Sequence, residues 1–172
     1  MGYKDPTYVV FDGDNDIYAY GFMLGWKKND NVDFDFYDAH DLDDMTSRAQ
    51  GEAYVKKHLR ERMKQSRCVA VLVGEKTKNL FKFVRWELEL AQDLGKPIVA
   101  VNLNGKRQQD GDRCPAIIKD SCVVHVSFKM KIIRHALDHW PGEFAGMTLQ
   151  QRQASGARIY NDQIYKNLGL IS

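Results

Sequence analysis

Cysteine is scarce. Cys68, Cys114 and Cys122 are an odd number with no CxxC and no Cys/His metal spacing, so neither a disulfide framework nor a zinc site is expected, and the expected location is a reducing cytoplasm. Net charge is nearly absent. Lys and Arg number 25 against 23 Asp and Glu, a formal +2, which removes the electrostatic argument for nucleic acid or an anionic membrane as partner. No apolar run approaches the roughly 20 residues of a membrane span. The opening Met1-Gly2-Tyr3-Lys4-Asp5-Pro6 lacks a secretory apolar segment and places proline where a myristoylation signal needs Ser or Thr. Repeats, low-complexity tracts and long linkers are lacking too.

What remains is a chain of 172 residues, 44% apolar and 28% charged, an ordinary composition for one globular domain. At this size roughly two thirds of the unfolded surface can be buried, enough for a core without covalent staples. Apolar runs at 8–11, 32–37, 68–73, 98–103 and 122–126 read as strands. The first, third and fourth are continuous rather than alternating, the pattern of a parallel sheet covered on both faces. Helical stretches at 16–28, 46–65, 80–94 and 128–140 lie between or after them. Val55, Leu59 and Met63 recur at helical spacing, and Gly95-Lys96-Pro97 supplies a stop for the third helix. Alternation of strand and helix predicts an α/β fold: an open, flavodoxin-like, five-stranded parallel sheet of order 2-1-3-4-5 with helices on both faces. The main domain is expected over 1–142, ending at Trp140-Pro141-Gly142. The extension 143–172 is expected to dock one more helix at 157–168.

Ligands of such folds bind beyond the carboxyl ends of the strands, where the first strand runs into Asp12-Gly13-Asp14-Asn15-Asp16. An EF-hand is excluded, because Ile17 and Met23 stand where that loop needs glycine and glutamate. A haloacid-dehalogenase-like phosphatase needs an acidic pair after a later strand, where this chain has Asn102-Leu103-Asn104. A response-regulator receiver needs an aspartate where Gly74-Glu75 stands. Two readings stay open: Asn15 or Asp16 caps the next helix, or the loop touches a ligand.

The third helix is more informative. At roughly 100° per residue, Glu87 falls in the middle of an apolar stripe of Phe81, Val84, Leu88 and Ala91 on one side and Leu80, Phe83, Leu90 and Leu94 on the other. Lys82, Glu89 and Asp93 lie opposite. Burying a carboxylate costs several kcal/mol unless it is paired or opens onto a cleft, so Glu87 is either a functional group or part of a structural network. His135 and His139, at i, i+4, lack an accompanying acidic motif and read as a surface pair, leaving no metal site. The Lys56, Lys57, Arg60, Arg62 and Lys64 face, broken by Glu61, reads as solvated.

The run Tyr8-Val9-Val10-Phe11-Asp12-Gly13-Asp14-Asn15-Asp16, then Trp26, Phe34-Asp35-Phe36-Tyr37-Asp38, 69–74, Arg85-Trp86-Glu87-Leu88 and Lys96-Pro97-Ile98-Val99-Ala100-Val101 resembles the TIR-like domains of the Thoeris antiphage-defence type, from about residue 8 to 126. The resemblance implies a flavodoxin-like TIR fold whose enzymatic members cleave the nicotinamide–ribose bond of NAD, with NAD as substrate and no further cofactor, releasing ADP-ribose or a cyclic ADP-ribose-type signal. It places the catalytic glutamate at Glu87, with Phe83 as the aromatic four residues earlier. Asp14, Asn15, Asp38, Gly74 and Thr77, at strand ends on one edge, are candidates to line the nucleotide site. The expected partners are NAD or a related nucleotide, a second copy of the chain, and a nucleotide-sensing effector acting through the product. TIR domains usually carry Ser or a similarly small residue near the end of the first strand, where this chain has Asp12-Gly13-Asp14. The added negative charge calls for a cation from Lys76, Lys78 or Arg85. The alternatives are a non-catalytic signalling or adaptor module of the same fold and a nucleoside deoxyribosyltransferase-like transferase.

Overall fold

The continuous Val, Ile, Leu and Tyr runs form strands because a parallel sheet buries both faces of each one. The structure, a computed structural model, describes residues 6–32, 34, 44–80 and 82–172, with the backbone only for 44–50. Strands β1 (Thr7–Val10), β2 (Cys68–Val73), β3 (Ile98–Asn102), β4 (Val124–Ser127) and β5 (Arg158–Ile159) all pair in parallel. Side chains of alternate residues feed two cores. Val9, Leu72, Val99, Val101 and Val126 face helices α1 (Ile17–Lys28) and α4 (Met130–Gly146). Tyr8, Val10, Val69, Val71 and Ala100 face α2 (Asp44–Gln65) and α3 (Phe83–Asp93).

The order is β1-β2-β3-β4-β5 rather than 2-1-3-4-5. The runs read as strands 1, 3, 4 and 5 are neighbours in that sequence. The expected second strand lies outside the described residues apart from Val32 and Phe34. The fifth member comes from the C-terminal extension: Arg158 and Ile159 pair with Val124 and His125. Two residues forming one edge of a sheet carry no periodicity by which sequence can announce them.

Local departures have local causes. The α2 helix breaks at Gly51, where φ 79° and ψ 170° are open to glycine alone. The last large helix does not stop at Trp140 but continues through Pro141 to Gly146. An interior proline costs about 3 kcal/mol. Pro141 is itself buried beside the fully buried Trp140. Beyond it, α5 (Leu149–Ser155) opens with a Thr148/Gln151 capping box, and α6 (Asp162–Asn167) buries Tyr165 in the first core. Arg107 clamps α6, pairing with Asp162 at 2.6 Å and lying 3.9 Å over the Tyr165 ring.

Helix α1 is unusual in being apolar nearly all round. Its inner face is Ala19, Tyr20 and Met23, while Ile17, Tyr18 and Phe22 are exposed. Gly21 and Gly25 sit mid-helix, each costing about 0.5–1 kcal/mol relative to Ala. A Cβ at either would meet no atom of the described residues within 4 Å.

Candidate functional site

The carboxyl ends of β1, β2 and β3 meet at one edge, and the acidic loop after β1 is folded onto itself there. Asp12, 2% exposed, accepts hydrogen bonds from the Asp14 N–H at 3.0 Å, the Asn15 N–H at 3.3 Å and the Asn15 side-chain amide at 2.6 Å. Its acceptor oxygens are thus occupied by donors of its own loop. Asp16 stands at the N-cap of α1, yet its side chain makes no capping bond. It turns inward, accepts from the Thr77 hydroxyl at 3.3 Å and lies flat against Gly74. The Gly74 N–H donates to the Thr77 oxygen at 2.8 Å, closing the knot. Burial raises the Asp16 pKa, the Asp12 charge adds to that, and Thr77 and Arg113 oppose it.

A Cβ at Gly74 would overlap the Asp16 carboxylate. Gly74→Ala therefore has to expel a buried group from its partners, with an expected loss of about 1–3 kcal/mol, read as a lower urea midpoint. An unchanged midpoint would mean that Asp16 moves freely.

Beside this knot opens a cleft of about 230 Å³ lined by Asn15, Asp16, Tyr18, Gly74, Glu75, Lys76, Leu103 and Arg113. Arg113 is placed by a loop whose centre is Asp110. That carboxylate accepts from Asn104 at 2.7 Å and from the N–H groups of Asp112 and Arg113, and it pairs with Lys106 at 3.1 Å. Burial alone would raise its pKa. The four partners together outweigh that and hold it down to about 2.

Glu87 lies elsewhere, on the α2/α3 side of the sheet. It is 5% exposed and accepts a 2.6 Å hydrogen bond from the hydroxyl of Tyr8, the second residue of β1. Burial pushes its pKa up to about 7, against the lowering effect of the Tyr8 bond. The Tyr8 hydroxyl is in turn held protonated, first by burial and then by the carboxylate beside it. Phe83, one turn earlier, is 39% exposed.

The sheet edge thus brings Asn15 and Gly74 together on the cleft. Thr77 sits behind them and lines a small neighbouring pocket with Lys78, Arg85 and Pro115. Asp14 is exposed at the loop tip, and Asp38 lies outside the described residues. Glu87 lines neither of these two openings. Of the three cations named as charge partners for a diphosphate, Lys76 reaches the cleft, while Arg85 pairs with Glu89 at 2.8 Å. Sequence reasoning missed Arg113, whose position depends on a loop knot, and Tyr8, whose hydroxyl crosses 79 positions of sequence to its partner. It left open whether Asn15 or Asp16 caps α1 or the loop touches a ligand; the signal for the inward turn of Asp16 was the glycine at 74, which leaves room for a carboxylate.

Among the described residues, no three His, Cys, Asp or Glu side chains stand close enough to hold a metal ion, and no helix is long and apolar enough to cross a membrane. The His135 and His139 rings stack at 4.1 Å. The basic face of α2 is tied to acidic neighbours, Lys56 to Glu52 at 2.8 Å and Lys64 to Glu61 at 2.9 Å. Compared with known families, residues 8–108 match the model described as "Thoeris protein ThsB, TIR-like domain".

Proposed function

The chain belongs to the Thoeris ThsB TIR-like family of antiphage defence, and from that premise we propose that it cleaves the nicotinamide–ribose bond of NAD, with Glu87 as the essential carboxylate. The observation that carries this reading is the isolation of Glu87. It is a carboxyl group in the apolar stripe of α3, 5% exposed, with a hydroxyl as its hydrogen-bond partner and a pKa pushed up to about 7. Such a group is poised to change charge near neutral pH, the usual condition of a working carboxylate.

The chemistry needs little else. Breaking the N-glycosidic bond develops positive charge on the ribose, and an ionised Glu87, which lines neither opening at the sheet edge, stabilises it through the field of a charge in a low-dielectric interior. Nicotinamide leaves as a neutral base, so no strong acid is required. The Glu87 reading leaves the ADP-ribose moiety to the sheet edge, where Lys76 and Arg113 are the cations available for a diphosphate and Tyr18 offers a ring to a base. Water or an adenine nitrogen then captures the ribose, giving ADP-ribose or a cyclic product.

A second reading, a non-catalytic defence module, is favoured by the Tyr8–Glu87 bond itself, since a buried pair of this kind also serves as a core strut. The readings separate when wild type and Glu87→Gln are incubated with NAD and, in parallel, with a deoxynucleoside plus a free base. Nicotinamide released by wild type alone supports the first reading. Equal release by both proteins removes Glu87 from the chemistry, and base exchange would assign a transferase instead.

A further inference from the structure

Resting on the reading of the sheet-edge cleft as the seat of the diphosphate, we infer that Asp110 is a positioning residue, which acts on the ligand through Arg113 by fixing the backbone that carries it. Both residues lie beyond 8–108, the part of the chain that matches the family. Arg113 is the cleft cation with most to gain from being held. Lys76 is exposed, and its ammonium is a charge without direction; the half-buried Arg113 presents a planar fork whose paired N–H groups meet a phosphate only in the right orientation. Burial raises the Asp16 pKa and the Arg113 charge opposes it, so the guanidinium acts at the knot beside the cleft. Among the described residues no hydrogen bond or ion pair engages that guanidinium.

The backbone under Arg113 is held from one buried residue. One Asp110 carboxylate oxygen accepts from the Asp112 N–H at 2.9 Å and the Arg113 N–H at 3.2 Å, and the Asp110 carbonyl accepts from the Cys114 N–H at 2.9 Å. Three successive N–H groups are thereby tied to a single side chain and its carbonyl. The other carboxylate oxygen holds the Asn104 amide at 2.7 Å and the Lys106 ammonium at 3.1 Å. Cys114, directly after Arg113, is buried in the second core, so the segment is fixed at both ends. The rest of the loop has ties of its own. The Asn102 side chain donates to the carbonyls of Lys106 at 3.0 Å and Gln108 at 2.9 Å, and Gln109 and Asp120 exchange two bonds at 2.8 and 2.9 Å. Undoing the Asp110 knot therefore frees residues 111–113 and leaves the remainder of the loop in place.

Calorimetric titration of the full chain with ADP as the probe tests the inference. Wild type should bind, and Arg113→Ala and Asp110→Asn should each weaken binding by about tenfold. Because Asp110 acts through Arg113, the two substitutions together should bind no more weakly than Arg113→Ala alone. Asp110→Asn sets two amide donors against each other at Asn104. Adding Asn104→Asp exchanges donor and acceptor, and this swapped pair should restore binding. In NAD cleavage Asp110→Asn should raise KM by a similar factor and leave kcat unchanged, the mark of lost binding common to ground and transition states. Glu87→Gln should bind ADP as wild type does, so a failure of Glu87 as the essential carboxylate would leave the ADP result standing. The positioning role is overturned by a wild type that does not bind ADP, by Asp110→Asn binding undiminished, or by a further loss when Asp110→Asn is added to Arg113→Ala. If Asp110→Asn alone does not fold, the swapped pair decides: binding at the wild-type level supports the role, and binding as weak as that of Arg113→Ala ends it.

Discussion

Glu87→Gln is expected to lower the rate of nicotinamide release from NAD by about 10³-fold, the size of effect seen when one preorganised electrostatic group is removed from a reaction centre. The same substitution should move the unfolding temperature by no more than about 4 °C. The separation of the two effects follows from the geometry. Near neutral pH the Glu87 carboxyl is poised between its two forms, and Gln is close in shape to the neutral one. Its amide oxygen still accepts from the Tyr8 hydroxyl, so the buried donor keeps a partner. Only the negative charge is lost, and on the proposed reading that charge is what stabilises the developing cation on the ribose.

The proposed reaction predicts a matching signature in the wild-type protein. If the ionised carboxylate acts, kcat/KM should rise with pH through about 7 and then level off, since the free enzyme's Glu87 must shed its proton first. A strut would show neither the loss in the Gln variant nor this profile. Truncation to Ala is the wrong test of chemistry, because it leaves the Tyr8 hydroxyl buried without an acceptor and costs stability in its own right.

The burial of Glu87 was legible in the sequence because helical periodicity determines which way a residue faces. Glu87 falls inside the apolar stripe of α3 on a wheel, and the structure buries it together with Val84, Leu88 and Ala91. The strand runs were legible for a similar reason, since Val69 to Val73 have no polar alternative to burial. What periodicity does not carry is contact between distant segments. Tyr8 reads as one more apolar strand residue until its hydroxyl is seen to end at Glu87. Arg113 belongs to a polar loop whose shape is set by four bonds to Asp110. The proline after Trp140 reads as a terminator by local rules, yet the helix runs through it with Trp140 and Pro141 both buried.

The second large effect concerns stability, where Glu87 and His125 pull in opposite directions. His125 lies in β4, fully buried, and neither ring nitrogen has a hydrogen-bond partner; burial, only partly opposed by Asp120, holds its pKa down to about 4. A depressed histidine contributes stability above its ordinary value of 6.5 and loses it as pH falls toward 4, because the unfolded chain takes up the proton first. Glu87 does the reverse. Its folded pKa stands near 7 against an ordinary 4.5, so its contribution is complete below 4.5 and disappears as pH rises to 7. Each shift corresponds to about 3 kcal/mol as an upper bound, and the two slopes cancel over the window they share. In wild type these two groups should therefore leave urea stability nearly flat between about pH 5 and about pH 6.5. Glu87→Gln exposes the histidine alone, and its stability should rise across that window by about 1 kcal/mol per pH unit. His125→Leu leaves no polar partner stranded, since the ring had none, and its stability should fall by a similar amount over the same window. A pair of variants with parallel profiles would show that these two buried groups do not set the acid limb of this fold.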